Sequence, residues 1–238
     1  MKRRDFFSFC LTLPLAAQTK KPDPQGPWSV PADPSLPNVL LIGDSISIGY
    51  TRAVRRLLAG EANVMRPLNE RGDGPSNCGP TPRGLELIDE WLGSTKWDVI
   101  HFNWGLHDLC YRNPTAKNTG NRDKVNGKQA VPAPIYKQNL EKLVERLEST
   151  GAKLIWASTT VVPEGEAGRF VGDDDKYNAA AREVMEVHGI PTDDLYAVSK
   201  SFASDLFAGP GNVHFTLQGY ERLAESVARS VREALARK

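Results

Sequence analysis

The residues that most constrain this chain are Val39 to Ile42, four consecutive apolar side chains that stop at Gly43, Asp44 and Ser45. A run that is apolar on both faces suits a strand buried on both sides, as a parallel sheet requires. Directly after it Ile46, Tyr50, Val54 and Leu58 recur at i, i+4 spacing, with Arg52, Arg55 and Arg56 between them. That pattern predicts a helix with one apolar stripe and a solvated opposite face. Strand, glycine turn and helix together put the Ser45 hydroxyl at the carboxyl edge of a sheet, over the first turn of a helix. Open α/β sheets bind ligands at that edge, and the N–H groups of a first helical turn stabilise developing negative charge there.

The rest of the chain alternates in the same way. Short apolar runs at Ala62–Met65, Asp98–Asn103, Lys153–Ser158 and Ile190–Leu195 predict four more strands. Helical spacing appears over Gly84–Leu92 and over Pro134–Thr150, which Gly151 stops. It returns over Asp173–His188, where the acidic start suits the helix dipole. The last helix follows Thr216, a candidate N-cap, with Leu223, Val227, Val231 and Leu235 in register. Strands joined by crossover helices imply one parallel sheet in a three-layer α/β/α sandwich. Two loops stand out, a Gly/Pro/Asn-dense one at Arg66–Pro82 and a long polar connection at Trp104–Val131. Connections of that length in a compact domain are commonly functional.

The N-terminus belongs to a different category. Met1 to Asp5 is basic, Phe6 to Ala17 is apolar, and Leu15-Ala16-Ala17 offers small residues for cleavage, so residues 1–17 predict an export signal. Arg3-Arg4-Asp5-Phe6-Phe7 has the form of a twin-arginine signal, which places the mature protein in the periplasm or outside the cell. Residues 18–37 follow as a Lys/Pro/Gln/Gly-rich linker, leaving residues 38–238 as the domain. Cys10 would leave with the signal. Cys78 and Cys110 remain, either as a disulfide in an oxidising compartment or as two free, partly buried thiols. A formal net charge of +1 gives no electrostatic case for nucleic acid or an anionic membrane as partner. No apolar run is long enough to span a bilayer, and a monomer without a stable membrane anchor is expected.

Four blocks now line up: Gly43-Asp44-Ser45 after the first strand, a glycine-bearing loop after the second, Gly105 to Asp108 after the third, and Val213 to Gly219 before the last helix. In order and spacing they resemble the SGNH (GDSL-type) hydrolase family over nearly the whole mature chain. The resemblance implies a flavodoxin-like, five-stranded parallel sheet and an esterase, many such enzymes acting on acylated sugars. It also implies that Ser45 attacks an acyl carbonyl while His214 takes its proton. A serine hydroxyl needs such a base, and imidazole titrates in the useful range. The oxyanion would be met by the Ser45 backbone N–H, by the Gly79 N–H (with Gly72 and Gly74 as alternatives), and by a third donor. That third donor departs from the family pattern, because His107 stands where the pattern has Asn; Asn103 is the second choice. A further departure is Gly211, where the pattern has the Asp that orients the histidine. A main-chain carbonyl, Asp205 or Asp194 are the candidates left for that role.

Other constellations argue less. There is no Gly-x-Ser-x-Gly elbow and no phosphate-cradling glycine loop. The sequence points to no cofactor and no metal: Asp173 to Asp175 suit a helix start better than a cation site. His101 within an apolar strand suits a core histidine, and His188 before Gly189 suits a helix end. Trp91, Trp104 and Tyr111 could form a sugar-stacking wall near the sheet edge. The expected protein is therefore an exported serine esterase removing acetyl or similar groups from a small-molecule or polysaccharide ester. The alternatives are a lipid esterase or lysophospholipase, and a carbohydrate-binding protein with a degenerate site.

Overall fold

A computed structural model describes residues 27–237, so the expected export signal and the first part of the expected linker lie outside the described residues. In chain order the elements are β1 (Asn38–Ile42), α1 (Ser45–Leu57), β2 (Asn63–Met65), α2 (Thr81–Leu92) and β3 (Val99–Phe102). Next come β4 (Tyr111–Arg112), β5 (Lys128–Gln129), α3 (Ala133–Glu148) and β6 (Lys153–Ala157). The chain finishes with α4 (Asp173–His188), β7 (Thr192–Asp193), α5 (Leu195–Lys200) and α6 (Leu217–Ala236).

The main sheet has five strands in the order β2-β1-β3-β6-β7, every neighbouring pair parallel. This is the expected flavodoxin-like order. α1 packs on α6 over one face, while α2, α3 and α4 pack in series over the other. Val39, Leu41 and Ile42 are wholly inaccessible to solvent, as a strand covered on both faces demands. Burying each such side chain stabilises the fold by about 1.5–3 kcal/mol relative to exposure. The chain leaves β1 for β2 on one side and returns to β3 on the other. The crevice where this sheet changes direction therefore opens at the carboxyl ends of β1 and β3.

Three local features differ from expectation. α2 starts at Thr81 rather than Gly84, because a proline in a helix's first turn forfeits no hydrogen bond and Pro82 is accommodated there. The long polar connection is not structureless: β4 and β5 form a small antiparallel hairpin within it. The fifth strand shrinks to Thr192–Asp193, since Asp194 caps α5 by accepting the Ala197 N–H at 3.1 Å. The part of the linker that is described, residues 27–37, lies on the domain. Trp28 stacks under the Arg52 guanidinium at 4.0 Å, and Asn63 donates to the Asp33 and Leu36 carbonyls.

Candidate active site

The turn that carries Ser45 is built by close packing. A Cβ on Gly43 would lie 2.7 Å from Ser47 Cβ, so only glycine lets β1 turn directly into α1. Asp44 is the cap, its carboxylate accepting the Ile46 N–H at 2.9 Å. Ser45 is thus the first residue of α1, and its N–H has no intrahelical acceptor.

From the other end of the chain, the loop before α6 brings in His214. Its Nε2 lies 2.8 Å from Ser45 Oγ, across a sequence separation of 169 residues. Its Nδ1 lies 2.9 Å from Asn212 Oδ1, which also accepts the His214 backbone N–H at 3.0 Å. An amide oxygen only accepts, so the ring proton sits on Nδ1 and the Nε2 lone pair faces the serine hydroxyl. Burial holds the His214 pKa below the ordinary imidazole range; Arg169 and Arg122 push the same way, and Asp44 opposes them. The ring is neutral and ready to accept a proton at neutral pH.

Asn212 was not among the orienting groups expected. Asp194 caps α5 and accepts from Ser158 Oγ at 2.8 Å, and Asp205 is exposed on a short 3-10 turn; neither bonds to the ring. The family's own position is closed to any side chain. Gly211 has φ +62°, and a Cβ there would lie 2.6 Å from the Gly165 carbonyl oxygen. An Asn that accepts from the N–H two residues on is an ordinary Asx turn, and Asn212-Val213-His214 carries that signal in the sequence.

The expected oxyanion donors divide. Gly79 adopts φ +62°, and the preceding Cys78 N–H donates to the Gly43 carbonyl at 3.3 Å, tying this loop to the turn that carries Ser45. The Gly79 N–H itself donates to Asn77 Oδ1 at 3.0 Å. Gly72 and Gly74 are engaged in a separate turn around Asn69. His107 is half-buried beside Asp44 and His214, and its ring makes no hydrogen bond to any described residue. Burial keeps it neutral, Arg169, Arg112 and His214 adding to that and Asp44 opposing it. Asn103 is drawn elsewhere: its amide donates to the Ala157 carbonyl at 2.8 Å and braces β3 against β6.

Several other expectations change or hold. Cys78 and Cys110 are both buried free thiols, so the disulfide alternative is not the one realised. Burial pushes the Cys78 thiol up to about 11, which leaves it inert. Trp104 and Trp91 are buried and offer no stacking wall, whereas Tyr111 is half-exposed and packs edge-on to Phe170 at 5.3 Å. His101 is a core histidine, 3.0 Å from Asp193. The Asp173 to Asp175 run starts α4. Sequence reasoning missed a buried brace. Glu166 accepts from Arg122 and Arg169, both at 2.9 Å, and Arg169 Nε holds the Leu106 carbonyl at 2.8 Å beside His107.

The sequence model of the GDSL-like lipase/acylhydrolase family matches residues 41–222. The chain belongs to this family. It is accordingly a carboxylic ester hydrolase, and the four blocks that resemble SGNH hydrolases all fall within the matched span. Solved structures share the fold. A lipase/acylhydrolase from Enterococcus faecalis superposes with TM-score 0.63 at 22% identity, covering 83% of this chain and 96% of that one. A catalytic mutant of Axe2, an acetylxylan esterase from Geobacillus stearothermophilus, gives TM-score 0.63 at 16% identity, covering 82% and 94%. TesA gives TM-score 0.59 at 15% identity, covering 83% and 99%. No curated protein matches the chain.

Proposed function

We propose that this hydrolase is an exported serine esterase that removes acetyl or similarly small acyl groups from a carbohydrate, through an acyl-enzyme on Ser45. The observation that carries the reading is the hydrogen-bonded chain Ser45–His214–Asn212, at 2.8 and 2.9 Å. His214 Nε2 takes the Ser45 proton as Oγ attacks the acyl carbon, then returns it to the departing alcohol; water repeats the sequence on the acyl-enzyme. The tetrahedral oxyanion is received by the Ser45 N–H at the positive end of α1, by the neutral His107 ring, and by the Gly79 N–H once Asn77 turns away.

A polar substrate is favoured by the surroundings. The cleft beside the Gly79 loop, about 650 Å³, does not include Ser45 or His214 in its lining, and sets Asn69, Arg71, Asn77, Arg83 and Glu86, side chains suited to sugar hydroxyls, beside an apolar patch of Leu68, Leu87 and Trp91. The acetylxylan esterase among the similar folds is consistent with that chemistry. The pattern of residues 1–17 supports export, and none of the described helices is long and apolar enough to cross a membrane.

The test compares acetate release from acetylated xylan and pectin with fatty-acid release from lysophospholipid, each with wild type and Ser45→Ala. Acetate release that Ser45→Ala abolishes supports the reading. Preferential turnover of lysophospholipid assigns the enzyme to lipid esters instead. Glycan binding with no ester turnover would leave only a binding protein.

A further inference from the structure

Beneath the nucleophile turn lies an arginine that the reaction scheme above does not use. Arg66 follows β2 directly and is 4% exposed. Its Nη1 donates to Ser47 Oγ and Thr51 Oγ1, both at 2.9 Å and both on α1. Its Nη2 donates to the Gly43 carbonyl at 3.2 Å and to the Ser76 carbonyl at 2.9 Å. All four acceptors are neutral, and no carboxylate is among its hydrogen-bond partners. Burying a cation on neutral acceptors is costly, and a fold that needed only a brace could use an uncharged one.

What the four acceptors belong to gives the cost a purpose. Gly43 is two residues before Ser45, Ser47 and Thr51 lie on the first turns of the helix that Ser45 opens, and Ser76 is three residues before Gly79. The Gly43 carbonyl also accepts the Cys78 N–H at 3.3 Å, so one carbonyl joins the guanidinium to the loop that carries Gly79. A planar fork whose donors span both segments ties the turn that carries Ser45 to the loop that carries Gly79. A positive charge held under both, away from bulk water, also adds to the field that meets a developing oxyanion.

We propose that Arg66 is a positioning residue for the transition state: it locks the nucleophile turn to the Gly79 loop and supplies a fixed positive charge beneath the oxyanion site. The proposal rests on Ser45 being the nucleophile. It predicts that loss of Arg66 lowers kcat while leaving KM nearly unchanged, since the charge matters only once the oxyanion forms.

The experiment uses Arg66→Ala in the full-length enzyme and follows turnover of a chromogenic acetyl ester and the rate of fluorophosphonate labelling at Ser45. Thermal melting reports folding. Both rates are expected to fall at least about tenfold, with KM within about threefold, as for loss of one oxyanion contact or more. Millimolar guanidinium should restore them saturably, whereas urea, its neutral isostere, should not. Wild-type rates in a folded Arg66→Ala, or equal recovery with urea, would overturn the proposal. Should that variant not fold, Arg66→Lys replaces it. One ammonium cannot hold both the Gly43 and Ser76 carbonyls in a fork, so a lowered kcat at unchanged KM is expected and a wild-type kcat refutes. Failure of wild-type Ser45 to take the label would count against the serine mechanism itself, separately from any statement about Arg66.

Discussion

Replacing Asn212 by aspartate puts a carboxylate where an amide oxygen now lies 2.9 Å from His214 Nδ1. The geometry needs no change, because the carboxylate accepts the same proton and keeps the same tautomer. The electrostatics change sharply. An opposite charge this close raises an imidazole pKa by about 1–3 units, and each unit corresponds to about 1.4 kcal/mol. His214 is partly open to solvent, so screening favours the lower end, about one unit. Protonated His214 cannot act as base. In wild type, burial keeps the pKa low, and the acid limb of the pH–rate profile lies below the ordinary imidazole range. In Asn212→Asp that limb moves up by about one pH unit, while the plateau above it rises because the imidazolium formed in the transition state gains a counter-ion. Gly211→Asp recreates the family's spacing but not its function. With φ +62° and a Cβ 2.6 Å from the Gly165 carbonyl oxygen, it costs about 1–3 kcal/mol of stability and yields no rise in kcat. The assay is kcat/KM on a chromogenic acetyl ester against pH for all three proteins. An acid limb that stays put in folded Asn212→Asp would refute the assignment of Asn212 as the orienting group.

Other substitutions probe separate parts of the account. His107→Ala removes a neutral donor and is expected to lower kcat by about 10²-fold with little change in KM; an unchanged kcat would remove His107 from the oxyanion site. Asp193→Ala leaves the wholly buried His101 without its 3.0 Å partner and Ser226 Oγ without its 2.7 Å acceptor. Chemical denaturation should show a loss of about 1–3 kcal/mol for each of the two buried groups left without a partner. His188 sits between Glu141 at 2.8 Å and Glu148 at 3.0 Å, and its hydrogen bond to Glu141 is the main cause of its raised pKa. A pKa raised on folding gives stability that is complete below the unfolded value and lost as pH rises through the folded one. The contribution is about 0.5–1 kcal/mol, and His188→Gln should erase it, so urea midpoints of the two proteins should differ at about pH 5.5 and converge at about pH 9.

Much of the fold is legible because its signals are long and periodic. Val39 to Ile42 followed by the Ile46–Tyr50–Val54–Leu58 stripe states strand and helix without help from tertiary contacts, and α1 begins at Ser45. Pieces two residues long carry no period. β4, β5 and β7 exist because neighbours supply their partners, which is why the hairpin inside the Trp104–Val131 connection was not visible. At the site, the meeting of Ser45 with His214, 2.8 Å apart in the fold, was legible from chemistry and order. Asn212 was hidden because the family pattern points to position 211, where a glycine stands and a Cβ would lie 2.6 Å from the Gly165 carbonyl oxygen. Asn103, the second choice for the third donor, shows a related effect. A strand-end amide beside the Ser45 turn looks available in sequence, yet the adjacent strand claims it through the Ala157 carbonyl. Arg66 and the Glu166 brace have no local pattern at all. Both join segments far apart in the chain, and only the folded arrangement shows what they hold.

The central claim is that Ser45 is a nucleophile activated by His214. Fluorophosphonate labelling of the purified mature protein, with peptide mapping, tests it most directly, because a serine reacts only where a base and an oxyanion site activate it. The account predicts a stoichiometric adduct on Ser45 that is lost in His214→Ala. A folded wild-type protein with Ser45 unmodified, or an adduct that survives His214→Ala at full rate, would contradict it.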